Sequence, residues 1–301
     1  MSRIFVLGSM NTDFSICCDK MPMRGETVVG RDFFISSGGK GANQAVAATK
    51  LGGSAVMLGA VGNDIFAEKI IKSISDYGVD ARYIQKKNVS TGVAIITIEN
   101  NDNRIVIDGG ANNLVAENDF RQILIDNAEK GDILVTQLEI PIETVSATLE
   151  IAKSIGMITI LNPAPAKKLS ENIYKYCDYL IPNESEAAIL SGISVIDTNY
   201  QKIRNYFIKL GVKNVIITLG KDGCVFCNKE EIRHLAAIPV KVADTIAAGD
   251  TFIGAYATAL TEGKNDAAAL NFSLRASALT VTKHGAQQSI PTKSELDNFK
   301  G

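Results

Sequence analysis

A run of small residues ends in an aspartate directly before an apolar helical stretch. It reads Asp244-Thr245-Ile246-Ala247-Ala248-Gly249-Asp250, and the predicted helix covers 252–260. Small residues at a helix start leave backbone N–H groups open to an anion, which the helix dipole also attracts. A carboxylate there can accept a hydroxyl proton while the amides stabilise a transferring phosphoryl group. The alternative is that Asp250 only caps its helix.

A second candidate ligand-binding stretch is rich in glycine and reads Ser37-Gly38-Gly39-Lys40-Gly41-Ala42-Asn43-Gln44. It is not the phosphate-binding motif G-x-x-x-x-G-K-[ST], because Gly41 follows Lys40, and it does not match the dinucleotide fingerprint G-x-G-x-x-G. One interpretation is close backbone approach to a small polar ligand, with Lys40 and Asn43 as donors. The other is a glycine-rich turn into a helix.

The elements that must position these residues alternate between strand and helix. Unmixed apolar runs such as Ile133-Leu134-Val135 are typical of a parallel sheet covered on both faces. The sequence therefore predicts an α/β fold with a doubly wound, mainly parallel sheet and helices on both faces. Strands are predicted at 4–8, 56–58, 132–135, 157–161, 178–181 and 214–218, and helices at 42–51 and 65–77.

A β-hairpin is predicted from two apolar runs, 93–98 and 104–108, that a polar, Asn-rich connector joins. With the turn-punctuated segment 14–36 it would form a small β-sheet beside the main one. No solenoid period and no low-complexity linker divides the chain. We therefore expect one discontinuous domain over 1–301, with the small sheet at about 14–36 and 92–109.

Polar clusters follow the predicted strands of the main sheet. Ligands of open parallel sheets bind beyond the carboxyl ends of the strands, so clusters at several of these ends indicate a shared site. They are Asn11-Thr12-Asp13, Glu139, Asn162, Asn183-Glu184 and Thr218-Leu219-Gly220.

The overall charge excludes some partner classes. The 301 residues carry 31 Lys and Arg against 33 Asp and Glu, a formal net charge of −2. This balance has no basic footprint for nucleic acid or for an anionic membrane surface. Apolar runs are strand-sized, far short of a membrane span, and the first predicted strand begins at Ile4 with no room for a signal peptide. We expect a cytoplasmic protein.

Two of the five cysteines form a C-x-x-C, Cys224-Val225-Phe226-Cys227. Such a pair can belong to a metal or redox site, but zinc requires four clustered ligands and the chain has no second C-x-x-C. Valine and phenylalanine between the cysteines favour a β-strand, which is the preferred interpretation.

Together these stretches resemble the PfkB carbohydrate kinase family, most closely its ribokinase members, over nearly the whole chain. Its two signature regions correspond to 38–45 and 244–250. Other family-like stretches are 8–13, 137–139, 161–166, 182–184, 218–220 and 283–287. The resemblance implies transfer of the γ-phosphoryl group of ATP to the primary (5-) hydroxyl of D-ribose.

The resemblance also implies roles position by position. Asp250 matches the catalytic base, and Ala247, Ala248 and Gly249 match the anion hole. The positions that match the sugar-binding residues are Asn11, Asp13, Gly39, Lys40, Gly41, Asn43 and Glu139. Neighbouring sugar hydroxyls suit such carboxylates and amides, each of which can satisfy two hydroxyls.

The cofactor positions follow from the same resemblance. Asn183 and Glu186 match an N-x-x-E associated with Mg²⁺ and phosphate, and Mg²⁺ usually keeps several waters. Thr218, Gly220 and Gly223, with Gly249, match the nucleotide-binding positions. A monovalent cation, usually K⁺, is implied at Asp244, Ile246, Thr280, Lys283, Gly285 and Ser289, several of them through backbone carbonyls. Asp244 could instead be only a turn residue.

Two positions depart from the family pattern. Leu274 stands where some ribokinases have a histidine near the adenine, so the base contact is expected to be apolar. Ala247 stands where the signature usually has glycine. Alanine suits a hole built from amides provided that its φ angle is negative.

The small sheet would be the family's lid over the sugar, and its short apolar edge predicts a homodimer. Closure of a lid excludes water that competes as phosphoryl acceptor. Three alternatives stay open: 2-deoxyribose as substrate, a nucleoside as substrate, and a non-catalytic sugar-binding regulator. The spacing of Asn11 and Asp13 favours ribose, and no aromatic cluster near Asn11 or Asn43 indicates a slot for a nucleoside base.

Overall fold

The computed structural model describes residues 2–99, 102–194 and 200–299. Within them, nine strands form one sheet and four form a second. The strands are β1 Ile4–Leu7, β2 Asn11–Cys18, β3 Gly30–Gly38, β4 Ala55–Val61, β5 Asp80–Lys86, β6 Gly92–Glu99, β7 Asp102–Asp108, β8 Ile133–Thr136, β9 Ile158–Leu161, β10 Tyr179–Leu180, β11 Asn214–Thr218, β12 Cys224–Cys227 and β13 Ile232–Leu235. The helices are α1 Lys40–Lys50, α2 Ile65–Asp76, α3 Arg121–Asn127, α4 Ile142–Ile155, α5 Glu184–Ser191, α6 Tyr200–Lys209, α7 Ala248–Thr261, α8 Asp266–Thr280 and α9 Lys293–Asn298.

The main sheet is doubly wound, as predicted. Its order is β13-β12-β11-β10-β9-β8-β1-β4-β5. Neighbouring strands pair in parallel except for the pairs β11–β12 and β12–β13, which are antiparallel. From β1 the chain moves outward through β4 and β5, and then returns to the other side of β1 with β8. The winding direction therefore reverses between β1 and β8, which is where ligand crevices open in such sheets.

Helices cover both faces of this sheet because alternate strand residues point to opposite sides. Phe5, Leu134 and Leu161 pack in a core with α3–α6, whereas Val6 and Val135 pack in a second core with α1, α2, α7 and α8. The apolar runs of the sequence are thus buried on both faces, and the α/β prediction is confirmed.

The second sheet, called here the lid sheet, has the order β3-β2-β6-β7. The predicted hairpin is present as β6 and β7, although its turn residues Asn100 and Asn101 lie outside the described residues. β2 and β3 are longer than the sequence indicated, since Asn11 already pairs with Gly38. Polar residues interrupt both strands, and the apolar run of β3, Phe33-Phe34-Ile35, is exposed rather than buried.

Element starts differ from prediction mainly where small residues lead into a helix. α1 begins at Lys40 rather than 42, and α7 at Ala248 rather than 252. Glycine and alanine at these starts carry no apolar periodicity by which a helix is recognised. Cys224 and Cys227 are buried in β12, which confirms the strand interpretation. No helix in the described ranges has the length and apolar character needed to cross a membrane.

Candidate active site

The carboxyl ends of the parallel strands bring the predicted polar clusters to one edge of the sheet. Glu139 follows β8, Asn162 follows β9, and Asn183 forms a parallel bridge with Thr218 at the end of β11. Asn11 begins β2, four residues beyond the end of β1. These residues therefore flank the point at which the winding reverses.

Asp250 is buried at the start of α7, with 9% of its surface exposed. Its Oδ2 accepts a hydrogen bond from Asn43 Nδ2 at 3.0 Å, and its Oδ1 accepts one from Gln44 Nε2 at 3.0 Å. The N-cap of α7 is Ala247, which makes no side-chain cap bond. The capping alternative for Asp250 is therefore wrong, because both carboxylate oxygens are held by side chains of α1.

A chain of buried amides orients Gln44 behind this carboxylate. Gln44 Nε2 also donates to Asn162 Oδ1 at 3.1 Å, and Gln44 Oε1 accepts from Gln137 Nε2 at 2.7 Å. Asn162 Nδ2 in turn donates to the carbonyl of Ile181 at 2.9 Å. The sequence placed Asn162 among the polar clusters of the shared site but assigned it no particular role, and it assigned none to Gln44 or Gln137, although all three lie in family-like stretches. The available signal was an amide side chain directly after a strand, for Gln137 and Asn162, or directly after Asn43 in α1, for Gln44.

The start of α7 has the free amides that an anion hole requires. Among the described residues, the N–H groups of Gly249 and Asp250 have no hydrogen-bond acceptor. A side chain built on Gly249 would meet nothing within 4 Å, so this position is open.

The condition of a negative φ at Ala247 is not met, since its φ is 60° and its ψ is 5°. This left-handed conformation reverses the chain before the helix, and the Ala247 carbonyl accepts from Thr251 N–H at 2.8 Å. Alanine adopts it at a cost of about 1 kcal/mol, which explains why glycine suits this position.

Four carboxylates and one lysine make the site strongly charged. Burial, together with the nearby Glu139 and Asp250, raises the pKa of Asp13 to about 7. Burial works against the charge of Lys40, but Asp250, Glu139 and Glu186 outweigh it and raise the pKa of the lysine. Lys40 therefore stays protonated among the carboxylates.

The predicted sugar-binding positions converge on the turn between β3 and α1. Glu139 accepts from the hydroxyl of Ser9 and from the backbone N–H of Lys40. Gly39 has a φ of 89°, and a Cβ at Gly41 would lie 2.6 Å from the carbonyl carbon of Gly8. These two glycines allow α1 to pack closely on the chain after β1, so the turn interpretation accounts for them as well.

Asn183 and Glu186 form a capping box at the start of α5. Asn183 Oδ1 accepts from Glu186 N–H, and Glu186 Oε2 accepts from Asn183 N–H, both at 2.8 Å. Burial is the main cause that raises the pKa of Glu186. Both residues line a cavity of about 210 Å³ together with Lys40 and Asp250.

A larger cavity of about 540 Å³ adjoins this one and shares Thr218, Thr245 and Gly249 with it. Its other walls are mainly apolar and include Leu274. The predicted nucleotide-binding positions Thr218, Gly220, Gly223 and Gly249 all line it. Sequence reasoning missed the wall formed by Ala237–Val242, an irregular apolar segment without a recognisable motif.

The predicted cation positions lie on two neighbouring loops. Asp244 Oδ1 accepts from Ile246 N–H and Oδ2 accepts from Gly285 N–H, both at 3.0 Å, so Asp244 does act as a turn residue. The side chain of Lys283 pairs with Glu295 at 2.6 Å, which leaves only its backbone facing these loops. Thr280 and Ser289 hydrogen-bond the carbonyls of Ala276 and Ala286.

Comparison with known proteins agrees with this geometry. A family model described as pfkB family carbohydrate kinase matches residues 1–293. The Staphylococcus aureus ribokinase is 40% identical over 303 residues, which cover 98% of this chain and 99% of the relative. A Salmonella typhi deoxyribokinase is 37% identical over 302 residues, covering 98% of both chains. The solved structure of Arabidopsis thaliana ribokinase complexed with ribose and ATP has a TM-score of 0.89 and 30% identity, with complete coverage of both chains.

Proposed function

The chain belongs to the pfkB family of carbohydrate kinases, and from this premise we propose that it transfers the γ-phosphoryl group of ATP to the 5-hydroxyl of D-ribose. The observation that carries the proposal is the place of Asp250. Its carboxylate stands at the mouth of α7, beside two free amides and next to adjoining cavities. An acid–base group and an anion hole are thus within reach of one reacting centre.

Asp250 acts as the general base. Amide donors of Asn43 and Gln44 hold both of its oxygens in place as acceptors. Each oxygen keeps a further lone pair for the sugar hydroxyl, whose proton Asp250 accepts as the hydroxyl oxygen attacks the γ-phosphorus. The amides of Gly249 and Asp250 stabilise the charge on the transferring group, whereas the N–H of Ala248 donates to the Thr245 carbonyl at 3.3 Å and Ala247 forms the turn before the helix.

The nucleotide occupies the larger cavity, with its base against the apolar wall at Leu274 and its phosphates toward Gly249. The buried ammonium of Lys40 lies where negative charge moves during transfer. Glu186 and Asn183 supply hard oxygen atoms beside the phosphates, which fits Mg²⁺ bound largely through water. The metal ion would neutralise phosphate charge when bound.

A monovalent cation, K⁺, fits the two loops that carry Asp244 and Gly285. The carbonyls of Ile246 and Gly285 accept no backbone hydrogen bond among the described residues, so oxygen donors are free there. Asp244 and Ser289 add side-chain oxygens, and Thr280 and Lys283 add carbonyls. A cation here would strengthen the field of the anion hole without touching the sugar.

Ribose and 2-deoxyribose are the two sugars to separate, since relatives of both kinds resemble the chain at similar identity. The buried Asn11 and the carboxylate of Asp13 supply more polar groups than a sugar lacking a hydroxyl could satisfy. We expect kcat/KM for ribose to exceed that for 2-deoxyribose at least about tenfold. Near-equal values would contradict the ribose assignment.

A wider panel distinguishes the remaining functions. ADP release is measured with ATP, Mg²⁺ and K⁺ for pentoses, hexoses and nucleosides. Faster turnover of adenosine than of ribose would make the protein a nucleoside kinase. Sugar binding without ADP release from any substrate would make it a regulator. Use of ATP also favours the cytoplasm as the place where the protein works.

The lid sheet is proposed to pair with a second copy of the chain. Its last strand exposes Ile105, Val106 and Ile107 to solvent, with 72% of Val106 accessible. Apolar residues on an edge strand favour association between copies. Sedimentation should give a dimer that Val106→Glu dissociates, whereas Ile125→Glu, at an exposed position of α3, should not. A monomeric wild type would contradict this proposal.

A further inference from the structure

Asn112 is a buried asparagine for which the resemblance implies no role. It lies in the turn Gly110–Leu114 directly after β7, with 1% of its surface exposed. Its Oδ1 accepts from Met10 N–H at 3.0 Å, and its Nδ2 donates to the Met10 carbonyl at 3.1 Å. A backbone N–H can only donate and a carbonyl can only accept, so these two bonds decide which end of the Asn112 amide carries the oxygen.

The second hydrogen of Asn112 Nδ2 points at the side chain of Asn11. The two atoms joined are Asn112 Nδ2 and Asn11 Oδ1, at 2.8 Å. Since Asn112 presents a donor, Asn11 must present its oxygen to it, and the Asn11 Nδ2 group is turned to the opposite side. Within the described ranges, no protein atom accepts a hydrogen bond from Asn11 Nδ2.

A glycine makes room for this contact. A Cβ at Gly92 would lie 2.3 Å from Asn11 Oδ1 and 2.3 Å from Asn112 Nδ2. Gly92 begins β6 and pairs with Asn11, whereas Asn112 follows β7. Two separate parts of the lid sheet therefore meet at the Asn11 amide, which indicates that its orientation is a built feature of the fold.

We propose that Asn112 is a positioning residue that holds Asn11 as a hydrogen-bond donor toward the sugar, an inference that rests on the proposed sugar-kinase function. Asn11 and Asp13 are two residues apart on β2 and so lie on the same face of the strand. That face offers a sugar hydroxyl one donor and one acceptor. A flipped Asn11 amide would offer two acceptors, and a hydroxyl has only one hydrogen to give.

The consequence is discrimination between sugars. A hydroxyl that accepts from Asn11 and donates to Asp13 satisfies both groups, whereas a deoxy sugar leaves both unpaired. With Asn11 flipped, the hydroxyl itself leaves one acceptor unpaired, and its advantage over the deoxy sugar shrinks. Asn112 thus acts on sugar selectivity without touching the sugar.

The test is Asn112→Asp, which keeps the acceptor for Met10 N–H and removes the donors. Asn11 then turns its Nδ2 toward the new carboxylate. We expect KM for ribose to rise at least about tenfold, and the preference in kcat/KM for ribose over 2-deoxyribose or 3-deoxyribose to fall by a similar factor. kcat at saturating ribose and KM for ATP should stay within about twofold of wild type.

Asn113→Asp is the matched control. It makes the same chemical change one residue further along the same turn, on an exposed side chain. We expect wild-type KM and wild-type preference. If Asn112→Asp keeps the wild-type preference against both deoxy sugars, or if Asn113→Asp loses it equally, the proposal is overturned.

A double-mutant cycle separates positioning from general damage to the fold. In an Asn11→Ala background, Asn112→Asp should cause no further loss of sugar preference, because the amide that it orients is gone. Losses that multiply would overturn the proposal.

A second variant covers the case in which Asn112→Asp fails to fold, as judged by thermal unfolding. Asn11→Asp keeps an oxygen facing Asn112 and changes only the free end from donor to acceptor, and it should lose the same sugar preference. Unchanged preference would overturn the donor role. If wild-type enzyme prefers another sugar, the substrate assignment fails, and the same variants are compared on that sugar and its deoxy analogues.

Discussion

Carboxylates are buried at both edges of the main sheet. At the amino-terminal edge, however, each of the buried carboxylates of Asp132 and Asp178 pairs with a cationic side chain. Asp178, directly before β10, lies 2.7 Å from the Nζ atoms of both Lys153 and Lys213 and accepts from Thr159 N–H at 3.0 Å. Burial works against its charge, but the two lysines outweigh it, so the pKa of Asp178 is lowered. Asp132, before β8, lies 3.6 Å from Arg3 in the same way.

The carboxyl-terminal edge has the opposite balance. Asp13, Glu139 and Asp250 are near one another, and Lys40 is a cation that Glu139 and Asp250 share. The pKa of Asp13 is accordingly raised, whereas that of Asp178 is lowered. At the amino-terminal edge, protein cations balance the charge of Asp178. At the carboxyl-terminal edge, the negative charges outnumber the cations, and bound substrate would have to supply further hydrogen-bond donors or positive charge. Unbalanced buried charge of this kind is a mark of a functional site.

The largest expected effect is loss of the base. Asp250→Asn keeps the shape of the side chain but cannot accept the hydroxyl proton, so kcat should fall at least about 100-fold. Steady-state ADP release with ribose and ATP measures it. Asp178→Asn removes the same charge from the opposite edge and should leave kcat near wild type. Activity of Asp250→Asn above about a tenth of wild type would contradict the assignment of the base.

The two edges should also differ in the sign of their pH dependence. Because the fold raises the pKa of Asp13 to about 7, its neutral form is favoured in the folded state. Its contribution to stability is present below the unfolded pKa of about 4 and is lost as pH rises toward 7. Asp178 behaves in the opposite way, since its contribution is present at neutral pH and is lost on acidification.

Urea unfolding from pH 4 to 8 tests this contrast. Relative to wild type, Asp13→Asn should become more stable as pH rises through this range, whereas Asp178→Asn should show its largest deficit at neutral pH. Parallel curves for the wild type and Asp13→Asn would show that Asp13 titrates normally.

Loss of the ion pairs at the amino-terminal edge is expected to have a smaller effect, on the free energy of unfolding. Asp178→Asn leaves two lysines without their carboxylate, and 27% of Lys153 and 66% of Lys213 are exposed to water. Solvent limits the cost to about 2 kcal/mol of the free energy of unfolding, less than for a fully buried pair. Lys213→Met, which removes the more exposed partner, should cost under about 1 kcal/mol. Equal costs would show that exposure does not control these pairs.

The sequence predicted the main sheet well because its strands are buried on both faces. Apolar runs such as those of β1, β8 and β11 have no other stable place in an α/β protein. β10 shows the limit, since only Tyr179 and Leu180 of the predicted 178–181 are in strand conformation. The lid strands β2 and β3 were underestimated, because their paired ends, Asn11–Asp13 and Ser36–Gly38, contain no apolar residue.

The candidate site was predictable where strand ends and signature stretches coincide, as at Asp250 and Glu139. What could not be predicted are partners chosen by tertiary packing. Gln44 meets Asp250 across 206 positions of sequence, and Asn112 meets Asn11 across 101. Pairs at this separation carry no local pattern. The conformation of Ala247 was also missed, because alanine normally avoids a positive φ.

The left-handed conformation of Ala247, at the carboxyl-terminal edge, gives the last prediction. Among the described residues, Ala247 and Asp32 are the non-glycine residues with positive φ, and only Ala247 lies at the site. Ala247→Gly should raise the free energy of unfolding by about 0.5–1 kcal/mol, because glycine adopts a φ of 60° without strain but is more flexible when unfolded. Ala248→Gly, one residue into α7, relieves no such strain and should lower stability. If both changes destabilise the protein equally, the left-handed conformation of Ala247 stores no strain, and unbalanced charge is then the feature that distinguishes this edge from the amino-terminal one.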